Sequence, residues 1–161
     1  MEEVKLKIDA SKQLEVGFIG LGVMGYQMAA WTAKAGFSVS VYNRSSNASE
    51  KWVKKFGGKN FSKPSELAET CDVVLICVGR DEDVLEVTSG KNGIFHTIKP
   101  GSLIVDHSTT SANLSRELGA IANQLNCNFI DAPVSGGEKG AIDGKLAIMC
   151  GGSSESFNLA K

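Results

Sequence analysis

Residues 15–25, Glu15-Val16-Gly17-Phe18-Ile19-Gly20-Leu21-Gly22-Val23-Met24-Gly25, constrain this chain more than any other segment. A short apolar run leads into three glycines at G-x-G-x-x-G spacing. Met24, Met28, Trp31 and Ala35 then recur every three or four residues, the period of one helix face. Strand, glycine turn and helix in that order open a βαβ unit. Each glycine has its own task there: Gly20 permits the tight turn, Gly22 lets a ligand approach the backbone, and Gly25 lets helix pack on strand. N–H groups at the helix start have no intrahelical partner, and the helix dipole favours an anion in front of them. Gly20, Leu21, Gly22, Val23, Met24 and Gly25 are therefore expected to cradle the diphosphate of a dinucleotide. The competing reading is a glycine-lined turn that holds nothing; the strand–turn–helix setting favours the ligand.

The alternation continues downstream. Gly36 suits the position just past a helix end, and Phe37–Tyr42 alternates as a second strand. Asn47 with Glu50 suggests a capping box for a helix that buries Trp52, Val53 and Phe56 and stops at Gly57-Gly58. Pro64 opens a short helix through Leu67 and Ala68. Val73–Val78 is an unbroken apolar run, as a central parallel strand covered on both faces requires. Val84, Leu85 and Val87 mark a brief helix, and Leu103-Ile104-Val105 is a strand. Leu114, Leu118, Ile121, Ala122 and Leu125 mark a regular helix. Phe129-Ile130 and Leu146–Met149 read as two further strands around a glycine-rich loop. The fold class expected is α/β: a Rossmann-like, doubly wound, mostly parallel sheet with helices on both faces. The expected organisation is a flexible arm over 1–14, a dinucleotide-binding domain over 15–152, and the start of a helix over 153–161.

The end of the second strand bears on which dinucleotide fits. NAD sites usually place Asp or Glu about 20 residues past the glycine loop, on the ribose hydroxyls. This chain has Asn43-Arg44-Ser45 instead. A carboxylate would repel a 2′-phosphate, whereas a guanidinium makes charge-assisted bonds to it. NADP is thus the expected cofactor, with NAD weaker, and Asn43, Arg44 and Ser45 are the expected contacts.

Composition excludes other classes. The 161 residues suit one domain, and 17 Lys and Arg against 18 Asp and Glu leave no basic field for nucleic acid. No apolar run approaches the ~20 residues of a membrane span. Met1–Asp9 reads as neither signal nor transit peptide, so the cytoplasm is the expected compartment unless an organellar leader has been removed. Cys71, Cys77, Cys127 and Cys150 show no metal-ligand spacing and read as free thiols; no metal is expected.

Three separated motifs carry a resemblance. Gly20-Leu21-Gly22-Val23-Met24-Gly25 with Met28-Ala29, then Asp106-His107-Ser108-Thr109, then Asp131-Ala132-Pro133-Val134-Ser135-Gly136-Gly137 continuing to Gly140-Ala141 and Gly144-Lys145-Leu146, resemble the signatures of the β-hydroxyacid dehydrogenases. That family includes 3-hydroxyisobutyrate dehydrogenase, glyoxylate and succinic semialdehyde reductases, and 6-phosphogluconate dehydrogenase. The resemblance implies hydride transfer between nicotinamide and C3 of a short β-hydroxy acid, or its semialdehyde. It implies that Val78, Gly79, Asp83 and Thr109 contact the cofactor, and that Ser135, Gly136 and Gly137, with Ser108, hold the small anionic substrate. A hydroxyl beside glycine amides beyond a strand end is independently suited to an anion. The family's acid/base is a lysine, followed by an asparagine, on a helix that would lie past Lys161, and an all-helical second domain usually mediates dimerisation. The full-length protein is then expected to be a homodimer or homotetramer, and this chain to bind nucleotide while turning over poorly. His107 is not assigned as the base, since the family position varies, and Lys139 and Lys145 read as solvated charges. Two alternatives stay open. One is an imine reductase, which looks alike through Asn43-Arg44 but needs no carboxylate anchor; the other is a non-catalytic nucleotide-binding or oligomerisation module without the lysine.

Overall fold

The structure is a computed structural model that describes residues 13–161, so the expected arm lies outside the described residues except for Gln13 and Leu14. Strand and helix alternate as β1 (Glu15–Ile19), α1 (Val23–Lys34), β2 (Ser38–Tyr42), α2 (Ser46–Phe56), β3 (Lys59–Asn60), α3 (Pro64–Thr70), β4 (Val73–Ile76) and α4 (Asp81–Thr88). A 3-10 turn (Ile94–His96) leads to β5 (Leu103–Asp106), α5 (Ala112–Gln124) and β6 (Asn128–Asp131). The chain ends through β7 (Val134–Ser135), α6 (Gly137–Asp143), β8 (Ala147–Ile148), β9 (Gly151–Gly152) and α7 (Ser154–Ala160).

The main sheet runs β3-β2-β1-β4-β5-β6-β9, parallel throughout except for β9. The first crossover runs outward from β1 to β2, and the chain then returns to β4 on the other side of β1. This reversal opens a crevice at the carboxyl ends of β1 and β4, where such sheets bind ligands. Register fixes that edge: Tyr42, Ile19, Ile76, Asp106 and Asp131 form one row across five strands. The residues that directly follow this row in β1, β2 and β4, namely Gly20, Asn43 and Cys77, meet over that edge.

Apolar layers cover both faces, as parallel strands demand. On one face Ile19, Val74, Ile76 and Ile104 pack with Leu67 and Ala68 of α3, Ile94 and Ile98; on the other Val16, Phe18, Val39 and Val41 pack with Ala29 of α1 and Trp52 of α2. Trp52 is fully buried, and its Nε1 donates to the Tyr26 carbonyl at 3.3 Å, which satisfies the one polar atom of its ring.

Several local expectations need correction. The face of α1 that meets the sheet is Gly25, Ala29 and Ala30, because small side chains allow the helix to lie close. Trp31 is 41% exposed and instead reaches α6, donating from Nε1 to the Ala141 carbonyl at 3.1 Å. Asn47 does not cap α2. Ser45 occupies the N-cap without a side-chain bond, since Ala48 N–H already donates to its carbonyl and starts the helix two residues earlier. The glycine-rich segment after Ser135 is not all loop: Gly136 at φ 140° and Gly144 at φ 65° bracket the helix α6. Leu146–Met149 does not join the main sheet either. Only Ala147–Ile148 is extended, pairing antiparallel with β7 in a separate ribbon, while β9 takes the sheet edge beside β6. The helix expected over 153–161 is present as α7, capped by the Ser153 hydroxyl, with Ser156 buried against Asn128 of β6.

Trp52→Ala removes the largest wholly buried side chain and should destabilise the fold by about 3–5 kcal/mol. Chemical denaturation measures this, and a loss under about 1 kcal/mol would contradict the packing described.

Candidate functional site

A cleft of about 440 Å³ opens at the β1/β4 reversal. Gly20, Gly22, Val23, Met24 and Gly25 form its floor, Asn43, Arg44 and Ser45 one wall, and Val78, Gly79 and Asp83 the other. Thus the structure gathers nearly all the expected cofactor contacts around one space. Ile19, Tyr42, Cys77, Glu86 and Val87 join them. Sequence reasoning missed these five. Ile19 and Tyr42 end their strands, and Glu86 and Val87 lie three and four residues past Asp83 on α4, the spacing of one helix face.

The three glycines separate cleanly by what a Cβ would meet. At Gly20, held at φ 96°, it would strike the Cys77 carbonyl; at Gly25 it would strike the Gly20 carbonyl. These two are glycines because the protein itself leaves no room. Gly22 differs: its φ is −69°, and a Cβ there would touch nothing within 4 Å. Neither strain nor crowding inside the protein requires glycine at 22, and the bare backbone there leaves the helix start open to a ligand that enters the cleft. Gly22 is also the N-cap of α1, without a side-chain bond, and no acid stands in the first turn. The first-turn N–H groups and the positive dipole end are left for an anion. By contrast, the first turn of α4 already carries Asp81, Glu82 and Asp83.

Asn43 laces this cradle together. Its Oδ1 accepts from Leu21 N–H at 2.8 Å, and its Nδ2 donates to the Ser45 carbonyl at 3.1 Å, tying the glycine loop to the β2–α2 turn. Leu21 contributes its backbone to this link while its side chain is buried, so it does not line the cleft. Beyond Asn43, Arg44 reaches across the mouth and its Nη1 lies 3.4 Å from Asp83 Oδ1. Tyr42 beneath them has its hydroxyl pKa raised by burial and then by the Glu86 charge, against a smaller lowering by Arg44.

The second and third motifs sit elsewhere on the same edge. Asp106 is wholly buried; Oδ1 accepts from Ser108 N–H at 2.9 Å, while Oδ2 has no partner among the described residues. Burial pushes its pKa to about 6, with Asp131, its neighbour in register, adding to the rise. Ser108 is buried, and its hydroxyl accepts from Val78 N–H at 3.0 Å, which ties the end of β5 to the cleft wall. Thr109 is exposed and outside the cleft lining. His107 is buried too. Its Nδ1 lies 2.8 Å from the Ala132 carbonyl, so that nitrogen carries the proton, and burial lowers the ring pKa. This is a strand-end clamp rather than a proton acceptor in the cleft. Ser135, Gly136 and Gly137 are exposed, past the end of β6 at the β7–α6 junction, and do not line the cleft. Lys139 pairs with Asp143 at 2.7 Å on the surface, and Lys145 is exposed.

All four cysteines are free, and burial raises Cys71 and Cys77 to about 11. Among the described residues no group of three or more His, Cys, Asp or Glu could hold a metal, and no helix is long and apolar enough to cross a membrane.

The comparisons with known proteins agree with the fold. The family model described as the NAD binding domain of 6-phosphogluconate dehydrogenase matches residues 15–161. A protein of Arabidopsis thaliana named probable 3-hydroxyisobutyrate dehydrogenase-like 2, mitochondrial, is 39% identical over 155 residues, 96% of this chain and 52% of its own length. The crystal structure of 3-hydroxyisobutyrate dehydrogenase from Salmonella typhimurium superposes with a TM-score of 0.84 at 32% identity, covering 90% of this chain and 50% of that one. Psf3, solved in complex with NADP+ and 2-OPP, superposes with a TM-score of 0.84 at 29% identity, over 89% of this chain and 51% of its own. The chain spans about half the length of the curated relatives it matches.

Two outcomes follow from the site's geometry. Gly22→Ala should leave the thermal midpoint within about 2 °C while weakening dinucleotide binding more than about tenfold, because the methyl meets only the incoming phosphates. A comparable loss in both, read by calorimetry, would mean that Gly22 serves the fold. Asp106 keeps its proton to a higher pH in the native state than in the unfolded chain. The stability of its neutral form is therefore complete below about pH 4 and lost as pH rises through about 6. Asp106→Asn should accordingly gain on the order of 2 kcal/mol over the parent between pH 4 and pH 8, and parallel pH–stability curves would contradict this.

Proposed function

We propose, because this chain belongs to the family of the NAD binding domain of 6-phosphogluconate dehydrogenase, that it is the NADP-holding half of an oxidoreductase acting on a short β-hydroxy acid or its semialdehyde. The observation that carries this reading is the cleft floor: a glycine at 22 that the protein does not need, in front of an uncapped, acid-free helix start. The residues fit a dinucleotide diphosphate on those grounds. When bound, the nicotinamide supplies the hydride acceptor or donor.

This chain's own residues then divide the work. Backbone N–H groups of residues 22–25 bind the diphosphate, and Asn43 keeps their loop in place through Leu21. Val78 and Gly79 bound the adenosine end, held from behind by the Ser108 hydroxyl. Arg44 is 90% exposed at the cleft mouth, and position 43 bears no carboxylate, which together favour the 2′-phosphate of NADP. Ser135, with the glycines after it, orients the substrate's carboxylate. Oxidising a hydroxyl also needs a proton acceptor. Among the described residues the cleft is lined by no lysine or histidine, and we assign that role to the half of the relatives' length that this chain does not span.

Arg44→Ala should weaken NADPH binding by roughly 10- to 100-fold and NADH binding by less than about threefold, as loss of a charge-assisted phosphate contact predicts. Titration followed by fluorescence or calorimetry reads both constants, and equal losses would remove the 2′-phosphate assignment.

A further inference from the structure

The cleft carries a second charged feature that the NADP reading leaves unused. Asp83 and Glu86 stand one turn apart on α4 and both line the wall that faces Arg44. The two sides of the resulting ion pair are unequal. Arg44 is 90% exposed and held at 3.4 Å, a weak tie that its long side chain can leave. The Asp83 side chain is only 29% exposed and far shorter, and its carboxylate sits over Gly79, where a Cβ would come within 2.8 Å of Oδ2; Arg80, itself exposed, adds only a loose contact at 3.9 Å. One partner is therefore an anion on a short, largely covered side chain and the other a cation on a long, exposed one, both at the mouth where the adenosine ribose belongs.

We propose that Asp83 is a specificity-determining residue for the cofactor, competing with the 2′-phosphate for Arg44 and offering its carboxylate to the ribose hydroxyls of NAD. The inference rests on the reading of the cleft as an NADP site. The carboxylate that NAD sites carry at the end of the second strand is absent from position 43, yet α4 brings one to the same space from the opposite wall. A ribose diol donates hydrogen bonds to that carboxylate and leaves the Arg44–Asp83 pair intact. A 2′-phosphate must draw Arg44 away from Asp83 and then sit beside two carboxylates, Asp83 and Glu86, that repel it. Arg44 and Asp83 thus oppose each other: the arginine favours NADP and the aspartate restrains that preference, so the site accepts both coenzymes with a narrower ratio than Arg44 alone would set.

The test is equilibrium titration of the whole chain with NADPH and with NADH, comparing the parent with Asp83→Asn, Glu86→Gln and Arg44→Ala. Asp83→Asn is nearly isosteric and should raise the ratio of the NADH to the NADPH dissociation constant about tenfold, through tighter NADPH and weaker NADH binding. Glu86→Gln, which removes only repulsion, should tighten NADPH by about threefold and leave NADH unchanged. An unchanged ratio in Asp83→Asn, or equal weakening of both coenzymes, overturns the proposal. If Arg44→Ala still loses NADPH selectively in that case, the NADP reading stands and this inference alone fails. If Arg44→Ala affects both coenzymes alike, the NADP reading falls first.

Discussion

The backbone N–H groups at the start of α1 are the constraint around which this structure is arranged. They have no intrahelical partner, Gly22 supplies no cap, and no first-turn acid neutralises the dipole. A helix end left in this state needs an external anion or water. The surrounding sequence shapes a space for the former. Gly20 turns the chain sharply out of β1, Gly25 brings α1 down onto that turn, and Asn43 holds the loop from the next strand. Parallel order on both sides of β1 opens the crevice in front of them, so topology and local chemistry place the site together.

The rest of the carboxyl edge supports this crevice more than it adds chemistry to it. Asp106, His107 and Ser108 are buried and turned inward, binding the Ser108 amide, the Ala132 carbonyl and the Val78 amide in turn. A motif with three polar residues thus works as a strand-end lock. Its cost is the burial of the Asp106 carboxyl, whose desolvation makes it a weaker acid. The carboxylates that line the cleft, Asp83 and Glu86, stand at the mouth opposite Arg44 and bear on recognition of the adenosine end.

How much of this the sequence disclosed depends on whether the deciding contact is local. β1, the glycine turn and α1 were legible because apolar period, glycine spacing and strand–helix order all act within 20 residues. The parallel sheet and its helices followed from the same periodicity, and the family likeness read from three motifs agrees with the match over residues 15–161. The buried face of α1 was misread because helical spacing finds large apolar residues, while close packing uses Gly25, Ala29 and Ala30. Trp31 answers instead to Ala141, 110 residues away, and that contact helps a glycine-rich stretch to form α6 where sequence suggested loop. At Asn47 the deciding contacts are local but compete with the capping-box pattern: the Asn43 side chain holds the Ser45 carbonyl, and Ala48 N–H donates to that same carbonyl, so α2 begins two residues before Asn47 could cap it. Glu86 and Val87 could have been found by carrying the helical spacing one turn past Asp83.

Amide chemical shifts on the isotopically labelled chain examine the phosphate cradle most directly. Addition of NADP+ should move the backbone N–H resonances of residues 22–25 most, with Leu21 held nearly still by its bond to Asn43. Saturating coenzyme that leaves those resonances in place, or shifts only residues away from the glycine turn, would contradict the account.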